Sequence, residues 1–373
     1  MPSPLSQWIF VFCILWHYCQ MFKFDWRDRD DLTQIFNPQE KGWLGGDVAT
    51  SIKLNESRYV WIFGDTLIGY VEDGQRKIII MSHDSIAITE DSNFSKPIFY
   101  LPQFSSNNTI DPRGFFHPNG EREDEAEAAY WIVAGLLLPK SQLLVILAMV
   151  IIYPANTFSQ IGTDIIVVEN PFEDSPQFWK YSSQRIPITS NNLTFNDAIA
   201  SDGNSTYIVG LQSQGGNLLL SKFTSETDLI NYDWIKMEFW CGKQMGWTRD
   251  VTNAVPLLTN SPFTETTLFF HPIWKQWYMM LSQAWIMNVS VAFATDLTGP
   301  WQSVAVFPIP EKYQNTSKYI CYAAKSHPEY VTQNSSKIIF SYNVNTLQLR
   351  DLTDLDIYHP KFVEIDIFQN DEN

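Results

Sequence analysis

Two short acidic motifs hold the residues best suited to chemistry. One is a Gly-Gly-Asp that ends at Asp47, and the other is a Phe-Gly-Asp-Thr whose aspartate is Asp65. If residues 48–54 and 59–64 form a hairpin centred on Glu56, the two aspartates lie opposite each other. Opposed residues of an antiparallel pair have Cβ atoms about 4.5–5.5 Å apart. The spacing therefore predicts two carboxylates side by side at one end of a hairpin.

Two adjacent carboxylates suit the cleavage of a glycosidic bond. One must be protonated to assist the leaving oxygen, and the other must be ionised to attack carbon or to activate water. Repulsion between like charges raises one pKa and so separates the two roles. The alternative is that both aspartates cap turns or bind a structural cation.

The rest of the chain predicts strands. Short apolar or alternating runs, such as residues 59–63, 206–210 and 277–281, are separated by Gly, Pro, Asn and Ser. They fall in sets about 45–60 residues apart, a period typical of propeller blades. We therefore expect an all-β protein, a single five-bladed β-propeller over residues 25–370. The predicted blades lie near 43–90, 126–170, 194–240, 261–305 and 320–368, with residues 25–36 adding a strand to the last blade.

One apolar stretch has two interpretations. Residues 131–138 and 143–153 could form a membrane hairpin, but each half is too short to span a bilayer as a helix. Two buried strands joined by a turn at residues 139–142 fit better.

The N-terminus predicts export. The apolar run at residues 8–16 indicates a signal peptide over residues 1–20, although a buried strand or an anchor is the alternative. A secreted or secretory-lumen glycoprotein is also indicated by the Asn-x-Ser/Thr sequons, because glycans need this route. The sequons begin at Asn55, Asn93, Asn107, Asn192, Asn204, Asn288, Asn315 and Asn334.

Charge and cysteine usage limit the partners. A formal net charge of −16 repels phosphates and anionic lipids, so we expect no nucleic acid partner and no membrane insertion after signal cleavage. A monomer is expected. Beyond the signal, Cys241 and Cys321 are either a disulfide or two buried thiols. No Cys/His spacing indicates zinc, so the prediction includes no metal and no cofactor.

Three segments near the N-terminus resemble the first blade of a known family. They are Gly42–Asp47 (GWLGGD), Trp61–Thr66 (WIFGDT) and Met81–Ile86 (MSHDSI). The family consists of five-bladed propellers long labelled as a domain of unknown function, and some members are endo-D-arabinanases. Residues 291–301 resemble the strand and turn that end a blade in many glycosidase propellers. Residues 322–329 and 341–345 resemble the last blade of the family.

The resemblance implies that Asp47 and Asp65 are the catalytic pair. It favours Asp47 as nucleophile or base and Asp65 as acid, although the order can be the reverse. The sequence departs from the family at Asp84, where asparagine is expected. A further carboxylate there could perturb the pair.

Other residues are candidates for substrate binding. Lys325 and His327 would face the central cleft, either to bind substrate or to plug the channel. Glu265 and Asp197 each open the first strand of a blade and could supply further carboxylates. Trp43 and Trp131 could stack on sugar rings, although a propeller tryptophan is more often part of the core.

The sequence thus predicts a secreted glycoside hydrolase-like enzyme that acts on a polysaccharide or oligosaccharide. The furanose-containing, arabinan-like substrate follows from the resemblance. A carbohydrate-binding, lectin-like propeller and a cell-surface interaction protein are the alternatives.

Overall fold

The described part of the chain is built almost entirely from β-strands. The computed structural model describes residues 22–90, 95–103, 109–118, 128–153, 158–188, 193–213, 215–259, 265–282, 288–330 and 335–369. The strands of the first half are β1 (Phe22–Asp28), β2 (Lys41–Gly46), β3 (Thr50–Lys53), β4 (Tyr59–Phe63), β5 (Thr66–Glu72), β6 (Gln75–Ser82), β7 (Ser85–Thr89), β8 (Ile98–Tyr100), β9 (Ala129–Leu137), β10 (Leu144–Ile152), β11 (Ser159–Val168) and β12 (Tyr181–Arg185). Those of the second half are β13 (Leu193–Ser201), β14 (Thr206–Gln212), β15 (Asn217–Phe223), β16 (Glu238–Trp240), β17 (Trp247–Thr248), β18 (Thr267–His271), β19 (Gln276–Ser282), β20 (Asn288–Ala294), β21 (Gln302–Pro308), β22 (Tyr319–Ser326), β23 (Lys337–Thr346) and β24 (Lys361–Gln369).

Helical segments in the described ranges are short and lie between strands. The α-helices are α1 (Asp30–Thr33), α2 (Glu226–Ile230) and α3 (Gly242–Met245). The 3₁₀ turns are Gln34–Phe36, Pro176–Phe178, Trp234–Lys236, Val251–Asn253, Glu311–Tyr313, Pro328–Tyr330 and Leu349–Thr353. The expected all-β class is confirmed.

The described strands form antiparallel sheets that follow the order of the chain. Five of these sheets have the strand orders β3-β4-β7-β8, β12-β11-β10-β9, β13-β14-β15-β16-β17, β18-β19-β20-β21 and β1-β24-β23-β22. A sixth, three-stranded sheet has the order β2-β5-β6. The predicted first blade, residues 43–90, is therefore divided between two sheets. The β5–β6 hairpin pairs with β2 and not with β3, β4 and β7. The burial pattern gives the reason, since β4 and β7 are buried throughout whereas β6 exposes Ile78 and Ile79.

The N-terminal strand completes the last sheet. β1 pairs with β24 from Phe22↔Gln369 to Asp28↔Val363. The predicted strand addition is confirmed, over residues 22–28 rather than 25–36, and residues 30–36 form helical turns instead. This pairing covers the backbone edge of β24 and so removes a site for unwanted strand association.

The long apolar stretch forms a buried hairpin. β9 and β10 pair from Leu144↔Leu137 to Ile151↔Ala129, and the turn between them places Gln142 at a φ of 58°. No helix within the described ranges is long and apolar enough to cross a membrane.

The hydrophobic core is divided among the spaces between neighbouring sheets. Val60 and Ile62 of β4 pack with Ile132 and Ile146 of the next sheet, and comparable clusters join each later pair. A further cluster joins the last sheet to the first, through Phe362 and Trp61. Strands β3, β9, β13, β18 and β22 lie side by side in this order, each in contact with the next.

The two cysteines of the described chain are free thiols. Cys241 and Cys321 are both buried and neither forms a disulfide. Burial raises the pKa of Cys321 to about 12, so this thiol is unreactive. The sequence left open a disulfide or two buried thiols, and the structure shows two buried thiols.

Candidate active site

The two aspartates lie side by side, in the register that the spacing predicts. β3 and β4 pair from Thr50↔Ile62 to Lys53↔Tyr59, which centres the hairpin on Glu56. Beyond the strands, the Asp47 N–H donates to the Asp65 carbonyl at 3.4 Å. β3 begins two residues later than expected, because positive φ values at residues 48 and 49 bend the chain.

Glycines make room for the Asp47 carboxylate and for the loop beside it. A Cβ at position 64 would overlap the Asp47 Oδ1 atom, and a Cβ at Gly45 would overlap the Tyr358 carbonyl oxygen. Gly45 also has a φ of 157°, which favours glycine. The glycines of both motifs are therefore needed for close packing around one carboxylate.

Two tyrosine hydroxyls hold the Asp47 side chain. Tyr322 donates to Asp47 Oδ2 at 2.7 Å, and Tyr358 donates to the same oxygen at 3.4 Å. Tyr358 is fixed by Arg76, a buried side chain that donates to the carbonyls of Leu44 and residues 352, 354 and 357. Because Arg76 lies on β6, the β2-β5-β6 sheet holds in place the loop that carries Tyr358.

Asp47 binds its proton more tightly than an ordinary aspartate. Burial of the carboxylate, followed by the charges of Asp65 and Glu265, raises the pKa of Asp47 well above its usual value. The hydrogen bonds from the two tyrosines act in the opposite direction. Because the net shift is upward, Asp47 keeps its proton at pH values where an exposed aspartate is ionised.

Asp65 has a different environment. Its Oδ1 lies 2.9 Å from His83 Nδ1, and its side chain is 18 % exposed. Tyr153 stacks on the His83 ring at 5.1 Å, and its hydroxyl lies 3.1 Å from the same Nδ1 atom. An ionised carboxylate only accepts hydrogen bonds, so Nδ1 carries the hydrogen when Asp65 is charged. Asp65 is thus held by a histidine, whereas Asp47 is held by tyrosine hydroxyls.

Glu265 adds a third carboxyl to the site. It precedes β18, has a φ of 59°, and its charge contributes to the raised pKa of Asp47. Its backbone N–H donates to Asp197 Oδ1 at 3.2 Å. Burial raises the pKa of Asp197 to about 7, although this hydrogen bond and the Lys325 charge oppose the shift. Asp197 is therefore a buried carboxyl group next to the Glu265 backbone, and it is partly protonated near neutral pH.

Lys325 and His327 are buried away from solvent. Lys325 Nζ donates to the carbonyls of Val133 at 2.6 Å and Thr266 at 2.9 Å, and burial lowers its pKa to about 8. His327 bonds Ser51 through Nδ1 and Ser341 through Nε2, and burial lowers its pKa to about 3. Both side chains therefore use their polar atoms within the protein.

Two further predicted site residues have structural contacts. Asp84 is buried and accepts the backbone N–H groups of Phe115 and Phe116, so it anchors a loop. Trp43 is buried and stacks on Phe99 at 4.3 Å, in the core. Both side chains therefore lie inside the protein, although the Asp65 charge, after burial and the Asp111 charge, contributes to the raised pKa of Asp84.

Trp131 remains at the edge of the site. It is partly exposed on β9 and contacts Phe158 with ring centroids 4.9 Å apart. Phe158 is 62 % exposed and Tyr153 is 42 % exposed, so aromatic surface lies open beside Asp65. Such surface suits the apolar face of a sugar ring.

Sequence reasoning missed three residues that contact the aspartates, His83, Tyr322 and Tyr358, and a fourth, Tyr153, that contacts His83. His83 lay within a quoted motif but was passed over for its neighbour Asp84, and Tyr322 lay within another. Tyr153 ends an apolar run, and Tyr358 follows a loop without a recognisable motif. Their roles depend on contacts between distant segments. No group of three or more His, Cys, Asp or Glu in the described ranges is arranged to hold a metal ion.

The fold is similar to that of several solved proteins. A candidate hydrolase from Bacteroides ovatus matches with a TM-score of 0.72 at 16 % identity, over 92 % of this chain and 90 % of that one. An exo-β-1,3-galactanase from Phanerochaete chrysosporium matches with a TM-score of 0.51 at 10 % identity, over 92 % and 64 %. The catalytic domain of a family 62 α-L-arabinofuranosidase from Coprinopsis cinerea matches with a TM-score of 0.50 at 10 % identity, over 93 % and 97 %. At such low identity the likeness is one of fold.

The described chain is an all-β protein, and its structural neighbours include glycoside hydrolases. The chain belongs to the family described as Domain of unknown function (DUF5005), whose model matches residues 30–368. No curated protein matches the sequence.

The raised pKa of Asp47 predicts how stability depends on pH. Between the ordinary pKa of aspartate and the raised folded value, the folded state binds more protons, so the free energy of unfolding falls as pH rises. Asp47→Asn removes this effect. We expect its melting temperature to exceed that of the wild type near neutral pH, with a smaller difference near about pH 4.

Asp356→Asn is the matched control, because the pKa of Asp356 is lowered in the folded state and its removal should change the melting temperature in the opposite direction. Burial alone would raise the pKa of Asp356, but hydrogen bonds from Lys312 and Tyr313 lower it to about 2. Its contribution is present above the unfolded pKa, so this variant should melt lower at neutral pH. A lower melting temperature for Asp47→Asn at neutral pH would contradict the assigned protonation. Differential scanning calorimetry makes both measurements.

Proposed function

We propose that this protein is a glycoside hydrolase of the secretory route that cleaves a furanose-containing polysaccharide such as an arabinan. The observation that carries the proposal is the placement of Asp47 beside Asp65, with Glu265 close enough to influence Asp47. Three carboxyls at a partly exposed position supply both a proton donor and an ionised partner.

The proposed architecture is a five-bladed propeller. The five sheets that begin with β3, β9, β13, β18 and β22 would be the blades, and the β2-β5-β6 sheet would be an insertion in the first. The core clusters between successive sheets, including one between the last and the first, support this arrangement. A propeller gathers polar groups from several blades around one cleft.

Protonation differences suggest how the roles divide. Asp47 has the raised pKa, so we assign it the proton that is donated to the leaving oxygen. Asp65, which is partly exposed and lies 2.9 Å from His83 Nδ1, would be the partner that attacks carbon or activates water. This reverses the order favoured by the sequence resemblance. Tyr322 and Tyr358 would stabilise Asp47 after it gives up its proton.

A carbohydrate substrate is supported by two observations. Tyr153, Trp131 and Phe158 place aromatic surface next to Asp65, where a sugar ring could stack. The structural neighbours include a galactanase solved with β-1,3-galactotriose and an arabinofuranosidase. The furanose ring is proposed from the arabinanase-like motifs and from the latter neighbour.

Hydrolysis of linear arabinan and of 4-nitrophenyl arabinofuranosides tests the proposal. Asp47→Asn should lose about 100-fold or more of the activity on arabinan, because general acid catalysis contributes that much. It should lose much less on the nitrophenyl substrates, whose leaving group needs no proton. Asp65→Asn should fail on both, with azide restoring part of the rate.

Asp73→Asn, at the exposed β5–β6 turn, is the control and should retain full activity. If Asp65→Asn instead keeps its activity on the nitrophenyl substrates while Asp47→Asn loses it on both, the roles are exchanged but the hydrolase proposal stands. Binding of arabinan without turnover by the wild type would support the lectin-like alternative. Neither binding nor turnover of any arabinan would favour the interaction protein.

Gly64→Ala tests whether the position of the Asp47 carboxylate matters. The backbone at position 64 is compatible with alanine, but the added Cβ would overlap Asp47 Oδ1. We expect a loss of about 100-fold in kcat/KM, as for other small misplacements of catalytic groups, with an unchanged circular dichroism spectrum. Gly74→Asn, at an open turn position, is the control. Unchanged activity in Gly64→Ala would contradict the assigned role of Asp47.

Secretion with N-glycosylation is part of the same proposal. Asn55, Asn204, Asn288 and Asn315 are exposed, as glycan acceptors must be. The predicted signal peptide and the sequons at residues 93, 107, 192 and 334 lie outside the described residues. When the full chain is expressed in a eukaryotic secretory cell, we expect it in the medium with glycans at the exposed sites. Glycopeptide mass spectrometry checks this, and an unglycosylated intracellular product would contradict it.

A further inference from the structure

A pocket lies beside the last sheet, where β1 pairs with β24. Its volume is about 510 Å³, and its lining includes residues of β1, β23 and β24, of the Glu311–Tyr313 turn and of the loop that precedes β24. We call it the β1 pocket. Asp47, Asp65 and Glu265 do not line it, so it is separate from the candidate active site. Small-molecule sites have volumes of roughly 300–1,000 Å³, so the β1 pocket can hold a small ligand.

Two buried side chains place polar atoms without a protein partner in the wall of the β1 pocket. His359 is 2 % exposed and Tyr342 is 3 % exposed, and both line the pocket. The His359 Nε2 atom and the Tyr342 hydroxyl bond no group in the described ranges, yet neither is among the unbonded polar atoms there that are sealed from solvent. Both atoms are therefore accessible from the pocket, and each can bond a ligand in it.

The contact on one side of the His359 ring decides what the other side can bond. Its Nδ1 atom lies 3.1 Å from the Ile357 carbonyl oxygen, which can only accept, so Nδ1 carries the hydrogen. Burial, followed by the charges of Lys361 and Arg76, lowers the pKa of His359 to about 3, so the ring is neutral at physiological pH. Nε2 is then purely an acceptor, and it needs an N–H or O–H group from a ligand.

The acidic groups of the β1 pocket are not matched by its basic groups. Asp356 accepts from the Lys312 ammonium at 2.8 Å and from the Lys361 ammonium at 3.3 Å, so both ammonium groups already have a carboxylate partner. Asp28 and Asp30 also line the pocket, and neither carboxylate forms an ion pair or a side-chain hydrogen bond in the described part of the chain. Burial, followed by the Asp30 charge, raises the pKa of Asp28, although both lysine charges oppose the shift. A cation beside the two carboxylates would relieve their repulsion.

A single metal ion does not fit this set of acceptors. Within the described ranges, no three His, Cys, Asp or Glu side chains are arranged to hold one ion, so Asp28, Asp30 and His359 do not share one. The ligand must instead extend from the two carboxylates to the imidazole. Carbon surface for such a ligand comes from other residues of the lining, which are Pro38, Pro310, Leu355 and Phe362.

The Tyr342 hydroxyl belongs to the acidic end of the pocket. Burial, followed by the charges of Cys321 and Asp28, raises the pKa of Tyr342 well above its usual value, which indicates that Asp28 lies near the hydroxyl. A tyrosine hydroxyl can accept as well as donate, so it can bond the same cation as the carboxylates.

We propose that the β1 pocket binds a small organic amine. Its ammonium group would lie beside Asp28, Asp30 and the Tyr342 hydroxyl, and its far end would donate a hydrogen bond to His359 Nε2. Amino alcohols, diamines and amino sugars belong to this class of ligand. The proposal does not depend on hydrolysis at the candidate active site.

Three small compounds separate the two ends of the ligand. 4-Amino-1-butanol has an ammonium and a hydroxyl, n-butylamine has only the ammonium, and 1,4-butanediol has only hydroxyls. We expect isothermal titration calorimetry on the full chain to give a millimolar dissociation constant for 4-amino-1-butanol. Each of the other two should bind about fivefold more weakly, the usual effect of losing one hydrogen bond.

Asp28→Asn tests the ammonium end. Asp28 is exposed, so this variant should fold normally, and it should weaken the binding of both amines about two- to fivefold, as expected for a partly exposed ion pair. Binding of 1,4-butanediol should not change. The matched control is Asp25→Asn, on the same strand but outside the pocket, which should leave the binding of all three compounds unchanged.

His359→Asn tests the far end. An asparagine amide can replace the Nδ1 donor to the Ile357 carbonyl but has no equivalent of Nε2. The variant should bind 4-amino-1-butanol about as weakly as the wild type binds n-butylamine, with n-butylamine itself unaffected. If this buried substitution does not fold, the wild type and Asp28→Asn still decide the proposal. It is overturned if 4-amino-1-butanol does not bind, if 1,4-butanediol binds as tightly, or if Asp25→Asn weakens binding as much as Asp28→Asn.

Discussion

The Asp47 carboxylate is packed against a backbone position that has no room for a Cβ, and the candidate site depends on that contact. Gly64 provides the space, and the hydrogen bond between the Asp47 N–H and the Asp65 carbonyl keeps the two acidic motifs adjacent. Tyr322 and Tyr358, which are 275 and 311 residues away along the chain, then fix the carboxylate. A small change at Gly64 would therefore alter the geometry of the whole cluster.

The site concentrates unfavourable electrostatics that the surrounding fold must offset. Asp47, Asp65, Glu265 and Asp197 place carboxyls close together, and burial raises the pKa of two of them. The compensation comes from hydrogen bonds in rigid elements. Arg76 holds four carbonyl oxygens around the Tyr358 loop, and Lys325 joins β22 to its neighbours. Stability given up at a site in this way is a common accompaniment of function.

Buried polar residues divide the centre of the molecule into two regions. Lys325 and His327 use their hydrogen-bonding groups within the protein, so they separate the carboxyl cluster from the cavity of about 420 Å³ that residues of the inner strands line. The inner strands thereby contribute to two environments, one acidic and one mixed polar and apolar.

The all-β class, the turn at residues 139–142 and the register of Asp47 with Asp65 could be predicted from the sequence alone. These features depend on alternation, turn residues and spacing, which are local properties of the chain. Long-range packing accounts for the departure of β5–β6 from the first sheet and for the burial of Trp43 and Asp84. It also brings His83, Tyr322 and Tyr358 to the aspartates and Tyr153 to His83. Those outcomes depend on contacts between segments far apart in the chain, and neither residue type nor spacing encodes which distant surfaces will pack together.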